Sequence, residues 1–234
     1  MDFENKNYLI IGASSGIGAD LSKKLLEVKA NVYTASRTKP GFITNFSEFD
    51  AQNPTNTFLN ILPETLSGLV YCPGTINLKP ANRLTLNDFK NDFQINFLGL
   101  VFVFNAVLEK LKKSGNSSVI SFSTVAAKIG MPYHASVAAS KAALEGFTKS
   151  IAAEFANQNL RANCIAPSLT NSSLVKSLLS TPEKRELSAK RHPLGRIGQP
   201  NEIAALASFL LTDDASWITG QTFQIDGGLS SIKI

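Results

Sequence analysis

The sequence predicts an α/β fold: one doubly wound parallel sheet of about seven strands, with helices on both faces, in a single domain over 1–234. Three observations predict it. Short apolar runs alternate with stretches in helical register to the end of the chain. Those runs are continuously apolar, as strands covered on both faces are. The 234 residues suffice for one full core, and no linker, repeat or low-complexity segment divides them.

The first strand is the run Tyr8-Leu9-Ile10-Ile11. A glycine-spaced turn follows, Gly12-Ala13-Ser14-Ser15-Gly16-Ile17-Gly18. Ile17, Leu21, Leu25 and Val28 then recur at spacings of four, four and three, which makes one face of a helix. Further strands are expected at 31–36, 67–72, 117–123, 161–166 and 222–226, with a weaker one near 46–50. Between Arg37 and the weaker strand there is room only for a loop or one short turn, and Pro40-Gly41 breaks a helix there. The longest helical pattern carries Leu86, Phe89, Phe93, Phe97, Leu100, Val101, Phe104, Val107, Leu108 and Leu111. Thr85-Leu86-Asn87-Asp88 caps its start, and Gly115-Asn116 ends it. Its apolar residues occupy more than one face, which suits an interface as well as a core contact. Another helix spans about 137–158, and a third begins after Pro200 and ends near Asp213.

The 23 Lys and Arg exceed the 18 Asp and Glu by five. They are scattered, apart from Lys110, Lys112 and Lys113, and Lys184-Arg185 with Lys190-Arg191. No basic stripe with interleaved aromatics argues for nucleic acid, whereas a modest positive balance suits a polyanionic cofactor or substrate. Cys72 and Cys164 lie in apolar runs and read as small buried hydrophobes, so neither a disulfide nor a metal site is expected. Met1-Asp2-Phe3-Glu4-Asn5-Lys6 is not a signal peptide. No apolar stretch approaches the ~20 residues of a membrane span. A cytoplasmic location is the expectation, without a membrane partner.

In a parallel sheet of this kind, ligands sit beyond the carboxyl ends of the strands. That points to 12–18, 36–38, 50–51, 72–75, 123–134 and 167–173. Strand, glycine turn and helix together form the context that holds a dinucleotide. Glycines let the backbone approach a pyrophosphate, and the helix start offers free N–H groups. A plain strand-to-helix turn is the other reading.

Several segments, in this order, resemble the short-chain dehydrogenase/reductase family, particularly its 3-oxoacyl-carrier-protein reductase-like members. They are Gly12-x3-Gly16-x-Gly18, Asp50-Ala51, Asn96 in Gln94-Ile95-Asn96-Phe97-Leu98-Gly99, and Ala139-Ser140-Lys141-Ala142-Ala143. Pro193-Leu194-Gly195-Arg196-Ile197-Gly198-Gln199-Pro200, Ile218-Thr219-Gly220 and Asp226-Gly227-Gly228 complete the pattern. The resemblance covers essentially the whole chain. It implies a Rossmann-type oxidoreductase that usually forms tetramers, so a homo-oligomer, tetramer or dimer, is expected. It also implies a cofactor site at Gly12, Ser14, Ser15, Gly16, Ile17, Gly18, Ser36, Arg37, Asp50, Ala51, Cys72, Pro73, Gly74, Lys141, Pro167 and Ser168.

The cofactor type follows from the end of the second strand. An NAD site usually has an acidic residue about 20 positions beyond the glycine turn, bonding the ribose 2′-hydroxyl. Here the chain reads Ala35-Ser36-Arg37-Thr38. An arginine binds a 2′-phosphate that a carboxylate would repel, so NADP(H) is favoured over NAD(H). A solvated surface charge is the alternative for Arg37.

In the family a tyrosine four residues before the lysine protonates the substrate oxygen as hydride arrives, with the lysine lowering its pKa. A serine polarises the carbonyl, and an asparagine supports a proton relay. This chain has Lys141, Asn96 and, at the serine position, Thr124, with Ser123 adjacent. The tyrosine position is Val137, which has no proton to give. Tyr133, His134 and Ser136 are the substitutes in reach, and no substitute at all is the remaining reading. Neighbouring positions also depart from the family: Ile11 for a threonine, Cys72-Pro73-Gly74 for Asn-Ala-Gly, and Pro167-Ser168 for Pro-Gly. The segment 169–192 is expected as a substrate lid, or equally as a surface helical hairpin, and its basic residues as anion-attracting or simply solvated.

Three functions therefore stand. One is an NADP(H)-dependent oxidoreductase acting on a carbonyl or hydroxyl of a small or acyl-type substrate, acyl thioesters included. The second is a cofactor-binding protein without turnover. The third is a reductase of a conjugated C=C bond, whose enolate product relaxes the demand on residue 137.

Overall fold

The computed structural model describes residues 3–233, so Met1 and Asp2 of the N-terminal expectation lie outside the described residues. Seven strands form one sheet: β1 (Asn7–Ile11), β2 (Asn31–Ser36), β3 (Asn45–Glu48), β4 (Gly68–Tyr71), β5 (Ser117–Phe122), β6 (Leu160–Pro167) and β7 (Thr222–Ile225). Their order is β3-β2-β1-β4-β5-β6-β7, and every pairing is parallel. The connections diverge between β1 and β4, which is the switch point at which such sheets open a crevice.

The continuous apolar runs have a simple cause. On β1, Tyr8 and Ile10 enter one core with Leu21 and Leu25 of α1 (Gly16–Glu27) and Ile203 and Ala207 of α6 (Pro200–Leu211). Leu9 and Ile11 enter the other with Leu100, Val103, Phe104 and Val107. Those four belong to α3 (Gly99–Lys113), which continues α2 (Leu86–Phe93) and packs beside α4 (Ala135–Phe155). The β2–β3 connection contains no helix, as its length requires. A six-residue 3-10 helix, Asn56–Ile61, is the only helical structure between β3 and β4.

Three sequence expectations are corrected. Val28 is the residue that ends α1 and is 44% exposed, because the last turn has left the core; Gly18, Ala19 and Ser22 complete the buried face. The long helix at 86–111 is not uniform: Gln94–Leu98 forms a π turn around Asn96, and the helix extends to Lys113. That helix, Leu86–Lys113, is also long and apolar enough by length and composition to cross a membrane. Here its apolar side is committed to the sheet through Leu100, Val103, Phe104, Val107 and Leu111.

The start of α1 is fixed by backbone contact. A Cβ added to Gly18 would lie 2.5 Å from the Gly12 carbonyl oxygen, so helix and turn touch with no side chain between them. Gly18→Ala must push the helix off the turn, a clash with backbone rather than with a side chain able to swing away. We expect a loss of about 1–3 kcal/mol in urea unfolding, with NADPH affinity, read by nucleotide fluorescence, falling in the same variant.

Candidate active site

The site opens at the carboxyl ends of β1, β2 and β4. Gly12 and Gly16 adopt φ of +84° and +58°, which other residues rarely tolerate. The ring of Pro73 packs 3.1 Å from where a Gly12 Cβ would stand. Ser15 caps α1 without a side-chain hydrogen bond to the helix backbone, and no acidic residue occupies the first turn. The first N–H groups of a twelve-residue helix are therefore left to whatever occupies the cavity.

That cavity measures about 650 Å³. It is lined by Gly12, Ser14, Ser15, Gly16, Ile17 and Gly18, then by Ser36 and Arg37, by Asp50 and Ala51, and by Cys72, Pro73 and Gly74. The structure thus brings to one cleft the sequence-derived cofactor residues of the first four strand ends. Arg37 is exposed and makes no hydrogen bond or ion pair with any described residue. Asp50 instead accepts the Gln52 N–H at 3.0 Å, which shapes the turn after β3.

A second cavity of about 330 Å³ adjoins the first. Ile17, Cys72, Gly74 and Thr75 wall both. Thr124, Val137, Lys141, Pro167 and Ser168 line the second, so the last three expected cofactor residues stand in it rather than in the first cleft. Much of the remaining wall is apolar: Ile76, Leu78, Phe122, Val125, Met131 and Leu178.

Lys141 is buried, and its ammonium donates to the Phe122 carbonyl at 2.7 Å. Burial pulls its pKa down to about 8, opposed by the fields of Cys164, Cys72 and Asp92. Val137, one turn earlier on α4, is 5% exposed and presents methyl groups. Burial pushes the Cys72 thiol up to about 12 despite the neighbouring Lys141, so it is neutral. The Thr124 hydroxyl accepts the Ala126 N–H at 3.3 Å and keeps its own hydrogen available to the cavity. Ser123 is less free, since its hydroxyl donates to Glu145 at 2.5 Å.

Asn96 stands behind this wall, fully buried at the π turn. The Tyr71 hydroxyl donates to the Ile95 carbonyl within this turn at 2.6 Å. Asn96 Nδ2 donates to Thr75 Oγ1 at 2.9 Å and to Ser140 Oγ at 2.8 Å, while Asn96 Oδ1 accepts the Thr75 N–H at 2.9 Å. Thr75 in turn donates to Asp92 at 2.6 Å. Sequence reasoning missed Thr75, Ser140 and Asp92. Asp92 did leave a signal: a carboxylate one turn before Asn96, inside an otherwise apolar helical stripe.

The three substitutes for a tyrosine fare differently. Tyr133 has φ +69°, is 59% exposed and lines neither cavity. Its carbonyl accepts the Lys79 N–H, and the ring lies outside the site. Ser136 is fully buried with its hydroxyl unpartnered and away from both cavities. His134 does line the second cavity, with Nδ1 2.7 Å from the Pro132 carbonyl. His192, 4% exposed and not expected from sequence, also faces it, with its Nε2 2.9 Å from the hydroxyl of the expected Ser168.

The segment 169–192 covers this corner. Ser173 meets Ser15 across 3.0 Å, and Ser172 and Leu174 wall both cavities. Its helix α5 (Pro182–Lys190) buries no residue, and Lys190 pairs with Glu186 at 2.6 Å.

Residues 12–230 match the family described as Enoyl-(Acyl carrier protein) reductase. The 3-oxoacyl-[acyl-carrier-protein] reductase of Thermotoga maritima is 32% identical over 98% of this chain and 99% of its own length. A tropinone reductase homologue of Arabidopsis thaliana is 30% identical over 96% of this chain and 92% of its own. The ligand-free aldohexose dehydrogenase of Thermoplasma acidophilum superposes with a TM-score of 0.91 at 27% identity, over 100% of this chain and 98% of that one. ElxO with NADP bound gives 0.89 at 25% identity, over 97% and 100%. With its sheet order, its glycine turn and its Asn96 and Lys141, the chain belongs to the short-chain dehydrogenase/reductase family of oxidoreductases.

Proposed function

We propose that this protein is an NADP(H)-dependent reductase of a carbonyl group on a small or acyl-type substrate, working without a tyrosine at 137. One observation carries the reading: the two cavities share a wall at Gly74, and Lys141 and Thr124 stand on the far side of it. Arg37, Asp50 and the uncapped start of α1 would hold a dinucleotide along the first cavity, leaving its nicotinamide to the shared wall. The positive-φ glycines and the open helix N-terminus fit a pyrophosphate. A Cβ on Gly74 would stand 3.4 Å from Lys141 Nζ and 3.5 Å from Asn96 Oδ1, so the glycine keeps the junction open.

When bound, the cofactor supplies hydride. The protein does the rest. Lys141, with donors beyond the one given to Phe122, holds the nicotinamide ribose hydroxyls. Thr124 donates a hydrogen bond to the substrate oxygen, where charge develops. The apolar wall and the cover formed by 169–192 exclude water and make that bond stronger. The basic residues of α5 stand in solvent, with Arg191 alone among the lid's Lys and Arg at the second cavity. Half-buried Phe93, Phe97 and Phe102 on the long helix support a homo-oligomeric face, as a dimer or tetramer.

Reduction of a conjugated C=C bond is the second reading. Val137 favours it, since an enolate is less basic than an alkoxide and depends less on a proton donor there. Binding without turnover is the third, favoured by the same residue.

Three measurements follow. Arg37→Ala weakens NADPH about 10- to 100-fold, the worth of a charge-assisted bond, and leaves NADH unchanged; tighter NADH than NADPH in the wild type would reject the cofactor assignment. NADPH oxidation is expected with 3-oxoacyl thioesters or small ketones. Turnover confined to enoyl thioesters would move the assignment to C=C reduction, and turnover only after Val137→Tyr would make the natural chain a binding protein. Lys141 titrates near 8 when folded and at 10.5 as a free side chain. Between those values the unfolded chain binds more protons, so this residue makes stability rise with pH there. Lys141→Met removes that rise from unfolding midpoints taken across pH 8 to 10.

A further inference from the structure

Resting on the reductase reading, we propose that Ser168 and His192 form a proton relay that serves the substrate oxygen in the absence of a tyrosine at 137. The second cavity is open to the Ser168 hydroxyl and to His192 together with Thr124 and Lys141. Ser168 and Thr124 follow the ends of neighbouring strands, β6 and β5, whose register is locked by the Ser123 N–H on the Ile165 carbonyl at 2.7 Å. They therefore look into the cavity from the same edge of the sheet.

The imidazole is held as a relay requires. His192 Nδ1 lies 2.9 Å from the Ser188 carbonyl, an acceptor without a hydrogen, so Nδ1 carries one. Nε2, 2.9 Å from Ser168 Oγ, then accepts from the serine when the ring is neutral and donates to it when the ring is charged. A backbone carbonyl accepts equally from both forms, so neither requires the ring to turn. Its seat is made by Gly227 at φ +61°, where a Cβ would come 3.4 Å from His192 Cβ.

Charged groups stand on the other side of the ring. Asp226, on the turn after β7, shares a small cavity with His192, Arg196 and Glu202. Arg196 is already paired with Glu202 at 2.6 and 2.9 Å. Asp226 is left as the anion nearest the ring. Burial opposes its charge, but bonds from Ser230 and Gly228 and the field of His192 together keep its pKa below the ordinary value. Two further cations line the second cavity: Arg191, exposed to water, and Lys141, bonded to the Phe122 carbonyl. His134 lacks such a partner: it is half-buried, and no described group bonds its Nε2.

The step balances. As hydride from the reduced nicotinamide reaches the carbonyl carbon, the C=O π pair moves to oxygen. That oxygen takes the Ser168 hydrogen, and Ser168 Oγ takes the hydrogen of His192 Nε2. The ring is left neutral and recovers a proton from water after product leaves. Oxidation of an alcohol runs the same transfers backwards.

The test uses the full chain. In the ligand-free protein, histidine side-chain NMR is expected to show the Nε2 hydrogen bond of His192, and Ser168→Ala to remove it. An Nε2 signal unmoved by Ser168→Ala overturns the dyad with no turnover measured. With NADPH and a reducible substrate, Ser168→Ala and His192→Gln each lower kcat ~10²- to 10⁴-fold while NADPH still binds, and Val137→Tyr added to Ser168→Ala restores turnover. An undiminished kcat in Ser168→Ala overturns the relay and leaves the reductase reading intact. A loss that Val137→Tyr does not restore makes Ser168 structural and overturns the relay too. A wild-type chain that binds NADPH yet reduces nothing overturns the reductase reading and the relay with it.

Discussion

Covering a parallel sheet on both faces leaves its carboxyl edge as the place for chemistry, and the rest of this molecule follows from that constraint. Residues along the strand bodies are committed to one core or the other, as Tyr8 and Ile10 are to one and Leu9 and Ile11 to the other. Polar groups gather where the strands stop: Arg37 after β2, Thr124 after β5, Ser168 after β6. The same packing demand fixes the helix start at the cleft. α1 must lie against β1 closely enough to bury Leu21 and Leu25, and only glycine at 18 permits that approach to the Gly12 carbonyl. The helix start, with its unspent N–H groups, is thereby aimed into the cleft.

The second constraint is a buried cation. Lys141 has lost most of its water and regains one strong partner, the Phe122 carbonyl. Removing an ammonium from water costs several kcal/mol even after relaxation. Charge of opposite sign must offset part of this, and Asp92 contributes across the cavity wall. Asp92 is itself buried, with one oxygen held by Thr75 and the other without a hydrogen-bond partner among the described residues. Thr75 and Asn96 tie the two ends together. The π turn is what allows it, because the extra residue in that turn places Asn96 toward Thr75 and Ser140 while the apolar stripe on α3 resumes contact with the sheet.

Much of the fold was legible because period and glycine placement are local signals. The strands fall within one or two residues of their expected bounds, and the helix-free route from Arg37 to β3 could be read from its length alone. What was not legible depends on contacts distant in sequence. Gaps of three and four describe a helix with a π turn as well as one without, so only Tyr71 reaching Ile95 reveals the turn. Val28 fits the periodic face by number, but the helix ends there. Tyr133 offered the family's residue type, eight positions before Lys141; its backbone there is left-handed and the side chain lies exposed. His192 closes a segment whose polarity suggested solvent, yet it is buried against Gly227 and Ser168, one of them 35 and the other 24 positions away.

Charge is divided between the two cavities in a way that separates their tasks. At the cofactor end the groups are an unpaired guanidinium, an open helix start and no acid at the end of β2. On the proposed reading these would attract a polyanion from a distance. In the second cavity the ionisable groups are tied to the protein itself: Lys141 to a carbonyl, His192 to a carbonyl and a serine. Groups so held lose little by reorganising when charge appears on a substrate oxygen, which is the condition for stabilising it. Val137 sharpens the division. A methyl surface at 137 leaves Lys141 as the charged group that α4 brings to the cavity, while Thr124 and Ser168 come from the strand ends and His192 from the segment above them.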